Sequence, residues 1–220
     1  MNKKVISIVF TACCALSMIA PVSFADQTSS DVAQVVKQQP SQLLKAKLAN
    51  IRGFSGDFSQ VIYDEDGNSL QNAQGQLKVS KPYLVNWHTQ SPEENLIVSD
   101  GKALWLFDPF IEQATVYTLD NSMANTPILL LANDSEELWQ QYNVTLEDNN
   151  VFVINAKDAD AQVKSLTLTF NEEKLSEFAV LDASGQRSKF SISNFELNPT
   201  FNQDTFRFDV PEGVFIDDQR

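Results

Sequence analysis

Alternation of apolar and polar residues is the dominant pattern along this chain. It begins where Phe54, Gly56, Phe58, Gln60 and Ile62 fall on one side of a strand that ends in the turn sequence Asp-Glu-Asp-Gly-Asn. Similar segments, rich in β-branched and aromatic residues and bounded by turn residues, follow at 71–80, 83–90, 95–99, 102–108, 113–119, 142–147, 151–156, 163–170, 175–181, 188–196 and 205–209. The pattern predicts a mainly β protein of roughly eleven or twelve short strands, arranged as an antiparallel barrel or a strongly curved sheet.

Helical spacing precedes the first strand. Leu44, Leu48 and Ile51 recur at i, i+4 and i+7, which predicts an amphipathic helix. Ser41 is the expected N-cap of this helix, and Gly53 is its expected end.

A second helix is predicted at residues 128–132, because Pro127 favours the first helical position. Its residues, including Leu130 and Leu131, are apolar on all sides, so the helix must bury more than one face. A further helical turn is predicted around Trp139. We expect the helical segments to cap the mouth of the barrel, and to act as a lid if the barrel holds a cavity.

Residues 81–110 are dense in Trp, Tyr, Leu, Val and Phe, and they contain no cysteine, no glycine-rich phosphate loop and no nucleophile with a neighbouring base. Such a segment indicates binding of an apolar ligand rather than catalysis. Alternation along its first strand places Tyr83, Val85 and Trp87 on one face and polar residues such as Asn86 on the opposite, outer face.

Three aromatic residues near the end of this block follow no clean alternation. They are Trp105, Phe107 and Phe110. The sequence therefore leaves open which side of the sheet each of them faces, and whether they line a cavity or fill a core.

The charge balance is strongly acidic. The chain has 16 Lys and Arg against 29 Asp and Glu, a formal net charge of −13. This balance disfavours binding to nucleic acid, whose affinity comes from phosphates neutralised by basic side chains. It equally disfavours adsorption to anionic membrane surfaces.

The N-terminus has the features of a secretory signal peptide: two lysines, an apolar stretch and a small-residue cleavage site. We predict cleavage after Ala25, which makes 1–25 the signal peptide and places the mature protein outside the cytoplasm. Residues 26–220 are then expected to form a single domain, with 26–40 as a loosely ordered lead-in.

Both cysteines, Cys13 and Cys14, lie within the apolar stretch of this leader. Lipidation there would anchor the protein to a membrane, but such sites require an aliphatic residue three positions earlier, and Phe10 stands there. We interpret the two cysteines as small hydrophobic residues of the leader, so that the mature protein is soluble and free of cysteine.

The sequence predicts neither a metal site nor a cofactor. His88 is the only histidine, whereas zinc sites require three or four nitrogen or sulfur ligands. Asp64, Asp66 and Asn68 have some features of a calcium loop, but the later glutamate ligand is missing and a hairpin turn is the better interpretation.

An ordered series of motifs resembles the periplasmic outer-membrane lipoprotein carrier family. The resemblance covers essentially the whole predicted mature chain, and its specificity lies in the order of the motifs. They are F-S-G-D-F-S-Q (54–60), G-Q-L (75–77), K-P-Y-L-V-N-W-H (81–88), L-I-V-S-D-G-K-A-L-W (96–105), D-P-F-I-E-Q-A (108–114), N-T-P (125–127) and G-V-F-I-D-D-Q-R (213–220).

The resemblance implies an incomplete, unclosed antiparallel barrel with a helical lid over an apolar cavity. It implies a monomeric carrier without enzymatic activity or cofactor. Members of the family accept the acyl chains of lipoproteins from an ABC transporter in the inner membrane. They carry this cargo across the periplasm and pass it to a receptor lipoprotein in the outer membrane.

Carried over to this sequence, the resemblance assigns residues to the cavity and to the lid. The expected cavity residues are Tyr83, Val85, Trp87, Trp105, Phe107 and Phe110, and the expected lid residues are Leu44, Leu48, Ile51, Leu130 and Leu131.

Lys81 stands before a proline, where the family typically has an arginine that bonds backbone carbonyls of the lid and helps to hold it shut. Lysine lacks the planar multi-donor fork of arginine. The resemblance therefore implies either a weaker latch at Lys81 or a latch shared with another residue such as Arg52.

The sequence leaves three alternatives open. A lipoprotein-sensing regulator on the same open barrel would normally need a second domain. An outer-membrane receptor lipoprotein would need a lipid anchor. A hydrolase with a carboxylate pair would need two acidic residues that the spacing singles out, and no spacing does so.

Overall fold

The computed structural model describes residues 39–119, 131 and 136–220. The predicted signal peptide, the lead-in up to residue 38, Leu130 and the other residues of the predicted second helix except Leu131 lie outside the described residues. The helices are α1 (Pro40–Ala49) and α2 (Glu136–Trp139), and the strands are β1 (Gly53–Tyr63), β2 (Ser69–Ser80), β3 (Leu84–Ser91), β4 (Asn95–Asp100), β5 (Ala103–Asp108), β6 (Gln113–Thr118), β7 (Tyr142–Asp148), β8 (Val151–Ala156), β9 (Val163–Asn171), β10 (Lys174–Asp182), β11 (Arg187–Leu197) and β12 (Phe215–Asp218).

Within the described residues, the strands form one sheet of twelve, in the order β12-β6-β5-β4-β3-β2-β1-β11-β10-β9-β8-β7. Neighbouring strands pair antiparallel, except that β12 runs parallel to β6. The two ends of the order, β12 and β7, do not pair with each other, so the sheet is open. The predicted fold class, a mainly β protein with an unclosed antiparallel barrel and short helices, is confirmed.

Helix α1 begins two residues earlier than the sequence predicts, with Gln39 rather than Ser41 at the N-cap position. Pro40 occupies its first turn, because the fixed φ of proline suits that position, and the preceding Gln39 makes no side-chain cap. The prediction that Ser41 is the N-cap is therefore wrong. The helix ends at Ala49, and Gly53 is the first residue of β1 rather than the end of the helix.

The helical turn predicted around Trp139 is present as α2. Leu138 and Trp139 are buried and belong to the same core cluster as the apolar residues of α1. Among the described residues, no helix combines the length and the apolar character needed to cross a membrane.

The predicted strand at residues 205–209 is wrong. The chain forms a 3₁₀ turn at Gln203–Phe206, capped by the side chain of Asn202, which accepts a hydrogen bond from the Asp204 amide. A strand that the sequence did not predict, β12 at Phe215–Asp218, pairs with β6 instead. Four residues ending in two aspartates carry too little alternation to identify a strand.

The segment around the 3₁₀ turn covers the outer side of β3 to β5. The Phe208 ring lies 5.4 Å from the ring of Trp105 and 5.3 Å from that of Phe107, measured between centroids. Asn86 Nδ2 donates a hydrogen bond of 2.8 Å to the Thr205 carbonyl. This side of the sheet therefore has its own apolar cover, separate from α1.

Candidate apolar ligand-binding face

One face of the sheet is apolar across its strands and packs against α1; we call it the inner face. Residues directly opposite each other on paired strands lie on the same face. The pairing Phe152–Leu168–Phe178–Phe190 therefore carries an apolar row across β8 to β11. The pairing Leu77–Trp87–Ile97–Leu106 continues the inner face across β2 to β5.

An aromatic cluster fills the middle of the inner face. The Trp87 ring lies 5.1 Å from the ring of Phe58, 5.0 Å from Phe190 and 6.0 Å from Phe178, measured between centroids. The rings of Phe178 and Phe190 are stacked at 4.4 Å. Edge-to-face and stacked pairs at these distances add to the free energy of apolar burial, so this cluster fixes the floor of the site.

The cluster depends on a glycine. Gly75 lies opposite Phe58 in the β1–β2 pair, and the Phe58 ring lies over it. A Cβ atom at position 75 would stand 2.8 Å from two carbons of the Phe58 ring and would collide with the His88 carbonyl oxygen. The absence of a side chain therefore allows the ring to lie against the sheet.

Helix α1 covers the inner face with two of the residues that helical spacing singles out, Leu44 and Leu48, and the third, Ile51, lies just after the end of the helix. Leu44, Leu48 and Ile51 are 0%, 1% and 4% exposed, and they share one core cluster with the apolar residues of the inner face. Leu131 is also buried in this cluster. Each fully buried aliphatic side chain stabilises the covered state by roughly 1.5–3 kcal/mol.

Two lysines tie the exposed side of α1 to its surroundings. Lys45 Nζ forms a 2.7 Å salt bridge with Glu136 of α2 and lies 5.2 Å from the centroid of the Trp139 ring. Lys47 Nζ donates a 2.9 Å hydrogen bond to the Glu172 carbonyl. Both contacts are partly exposed, so each contributes little compared with the buried leucines.

Lys81 contacts the C-terminal end of α1. Its Nζ donates a 2.9 Å hydrogen bond to the Leu48 carbonyl, and its amide donates a 2.8 Å hydrogen bond to the Arg52 carbonyl. A cation at the negative end of a helix is electrostatically favourable. Arg52 thus takes part through its backbone, whereas the side chain that reaches the helix carbonyl is that of Lys81.

Asn198 provides a second polar contact at the same place, which the sequence did not predict. Its side-chain oxygen accepts hydrogen bonds from the amides of Arg52 (2.7 Å) and Gly53 (3.1 Å), and its Nδ2 donates to the Asn50 carbonyl (3.0 Å). These contacts fix the connection between α1 and β1. No signal in the sequence singles out Asn198, because its partners are backbone groups 145 to 148 positions away.

The residues expected on one face of β3 separate into two groups. Val85 and Trp87 lie on the inner face and pack against the core cluster. Tyr83 lies before β3, in a turn with a φ of 66°, so the alternation of the strand does not apply to it. Asn86 lies on the outer face, where its side chain bonds to Thr205.

Trp105 and Phe107 lie on the opposite side of the sheet from Trp87. Trp105 pairs with Val98, whereas Trp87 pairs with Ile97, the neighbouring residue on the other face. Their rings pack against Phe208 on the outer side. The expectation that these two residues line the same cavity as Trp87 therefore does not hold in this structure.

Phe110 is not part of a strand. It lies in the turn between β5 and β6, and 92% of its surface is exposed. The structure thus removes it from the inner face.

Three aliphatic residues lie on the inner face of β4 and β5, where aromatic residues were expected: Ile97, Leu104 and Leu106. Ile97 pairs with both Trp87 and Leu106, and Leu104 lies two residues before Leu106 on the same face. They are partly exposed, and Leu106 is 37% exposed. The inner face of β3 can be extended to β4 and β5 only when the register of these paired strands is known. The sequence does not give that register, so it could not identify these three residues.

Titratable groups play little part in this face. Burial raises the pKa of Tyr142, the core residue that begins β7. Within the described residues, no group of three or more His, Cys, Asp or Glu side chains is arranged to hold a metal ion. What the face offers a ligand is apolar surface.

The fold and this face define a class of protein: an open antiparallel barrel whose apolar inner face is covered by a helix. The model of the family described as "Outer membrane lipoprotein carrier protein LolA" matches residues 49–209. The outer-membrane lipoprotein carrier protein of Aeromonas salmonicida is 42% identical over 178 residues, which cover 80% of this chain and 88% of that protein. The carrier protein of Idiomarina loihiensis is 36% identical and covers 92% of this chain and 96% of its own length. The chain belongs to the outer-membrane lipoprotein carrier family.

Solved structures support the fold. An uncharacterized conserved protein from Thermus thermophilus superposes with a TM-score of 0.55 at 12% sequence identity, over 82% of this chain and all of that one. At this level of identity the likeness concerns the fold alone.

The contact between Gly75 and Phe58 gives a test of the inner face. We expect Gly75→Ala to lower the free energy of unfolding by about 3 kcal/mol, because the new methyl group displaces the Phe58 ring and strains the β2–β3 pair. Urea unfolding measures the change. Gln74→Ala, on the exposed face of the same strand, is the matched control and should alter stability by less than about 0.5 kcal/mol. Equal stability of the two variants would contradict the proposed packing.

Proposed function

We propose that this protein carries the acyl chains of lipoproteins through the periplasm, from the inner membrane to the outer membrane. The observation that carries the proposal is the apolar inner face under α1 in a chain of the lipoprotein carrier family. Its relatives are named as outer-membrane lipoprotein carrier proteins. The family consists of transport chaperones rather than enzymes.

The free energies match this role. Removing an acyl chain from water is worth about 0.8 kcal/mol per CH₂, or roughly 12 kcal/mol for a sixteen-carbon chain. Withdrawing the two buried side chains of α1, Leu44 and Leu48, from the inner face costs roughly 3–6 kcal/mol at 1.5–3 kcal/mol each. One acyl chain can therefore displace the helix.

Release of the cargo follows from the same comparison. Because α1 and the acyl chain compete for the inner face, closure of α1 offsets a large part of the binding free energy. A carrier needs this balance, since cargo that is bound too tightly cannot be handed over. The α1–β1 connection held by Asn198 gives the helix a fixed base from which to move.

The wider route is part of the same proposal. The predicted signal peptide would direct the chain to the periplasm, an inner-membrane ABC transporter would supply the lipoprotein, and an outer-membrane receptor lipoprotein would accept it. The protein would act as a monomer, because the apolar face is already covered within one chain by α1.

Two adjacent residues of β4 provide the test. Ile97 faces the inner side, whereas Leu96 pairs with His88 and Phe107 on the outer side. We expect Ile97→Gln to weaken binding of a fluorescent sixteen-carbon fatty acid at least tenfold, since a buried amide is left without partners in the acyl site. Leu96→Gln is the matched control and should bind like the wild type.

The same proteins should then be incubated with spheroplasts that are making lipoproteins. The wild type and Leu96→Gln should release lipoprotein into solution, and Ile97→Gln should release much less. Failure of the wild-type protein to release lipoprotein would refute the carrier function.

Lys81 is the proposed latch. We expect Lys81→Leu to tighten binding of the same fatty acid about tenfold, because losing a charge-assisted hydrogen bond destabilises the covered state by about 1.5 kcal/mol. Lys174→Leu, which removes an exposed lysine at the start of β10, is the control. Fluorescence titration measures both affinities. Equal affinities in the two variants would contradict a latch at Lys81.

A further inference from the structure

Exposed apolar side chains gather at one end of the sheet, in the turn between β5 and β6 and at the start of β12. Phe110 is 92% exposed, Ile111 58%, and Phe215 66%. The Phe215 amide donates a 2.8 Å hydrogen bond to the Glu112 carbonyl, which places β12 directly beside the turn. Contiguous exposed apolar surface on a soluble protein marks an interaction site.

The turn is built to hold Phe110 outwards. The Asp108 carboxylate accepts hydrogen bonds from the amides of Phe110 (2.9 Å) and Ile111 (3.3 Å). Fixing the backbone in this way removes much of the entropy that a partner would otherwise have to overcome on binding. The exposure of Phe110 is therefore a feature of an ordered turn.

Carboxylates surround this apolar surface. An open depression of about 630 Å³ lies between the β3–β4 and β5–β6 turns, lined by Pro92, Glu93, Glu94, Asp108, Pro109 and Phe110. Glu94 pairs with His88 at 2.8 Å. Within the part of the chain that the structure describes, Glu93, Asp108 and Glu112 have no salt-bridge partner.

We propose that this acidic tip, defined by Phe110, Ile111, Phe215, Glu93 and Asp108, docks a protein partner that offers an apolar pocket rimmed by lysine or arginine. Opposite charges around a central apolar anchor orient two proteins and accelerate their encounter. A second copy of this chain is a poor partner, because each copy has a net charge of −13 and would bring the same carboxylates. Anionic lipid is repelled for the same reason.

The acidic tip lies away from the latch. Lys81 precedes β3 and the tip follows it, and the eight residues of β3 span about 25 Å. A partner bound at the tip therefore leaves α1 free to open. The inference rests on the proposed carrier function, in which the partner would be a protein that gives or takes the cargo.

Phe110→Ser tests the proposal, with Leu70→Ser as the matched control. Leu70 is also exposed, at 57%, but it lies near the start of β2, which β3 and β4 separate from β5 in the sheet. We expect Phe110→Ser to bind the fluorescent fatty acid as the wild type does, and to be at least tenfold slower in releasing lipoprotein from spheroplasts or in delivering it to outer-membrane vesicles. Leu70→Ser should match the wild type in all three assays.

A variant that reverses the charge of one carboxylate provides a second test of the docking surface. Glu93→Lys, with no change at Phe110, should also slow transfer while fatty-acid binding stays unchanged, and high salt should slow transfer by the wild type.

The outcomes separate the two proposals. If the wild type releases no lipoprotein, the carrier function fails. If the wild type is active and both Phe110→Ser and Glu93→Lys transfer at its rate, or Phe110→Ser loses fatty-acid binding, the docking surface is refuted. Binding to vesicles of neutral phosphatidylcholine that depends on Phe110 would also overturn it, in favour of a membrane contact.

Discussion

The packing of Leu44 and Leu48 against the inner face is the interaction on which the rest of this structure depends. An open sheet with an apolar face cannot stay soluble unless that face is covered, and α1 covers it with its two most buried side chains. The cover is local, since the helix is ten residues long and its other contacts are those of the partly buried Leu43, two partly exposed lysines and a few hydrogen bonds. Under the proposed function, this small helix leaves the inner face when cargo binds, which a second sheet could not do.

The two faces of the sheet have different tasks because side chains alternate along each strand. On the inner side, Trp87 and Phe178 form an aromatic floor that α1 covers. On the outer side, Trp105 packs against Phe208, which the chain supplies from its own C-terminal segment. Neighbouring aromatic residues of one sequence block therefore lie on opposite faces: Trp87 lies on the proposed ligand face, and Trp105 lies in a separate apolar core on the outer side.

Much of the fold could be predicted from the sequence, and less of the site. Alternation identified the strands well, since turn residues separate them clearly, and helical spacing identified Leu44 and Leu48. The side that Trp105 faces could not be predicted, because it depends on the register between β4 and β5 and not on the local pattern. Strand β12 was missed because it is too short to alternate, and the helix start was misplaced because Pro40 and Ser41 both favour a first turn.

The central claim is that α1 and an acyl chain compete for the inner face. Hydrogen exchange of the α1 backbone amides, measured with and without a bound sixteen-carbon fatty acid, tests it most directly. We expect amides within Pro40–Ala49 to exchange faster when the fatty acid is bound, while amides of the paired strands β1 and β2 keep their protection. Unchanged or slower exchange in α1 at saturating fatty acid would contradict it.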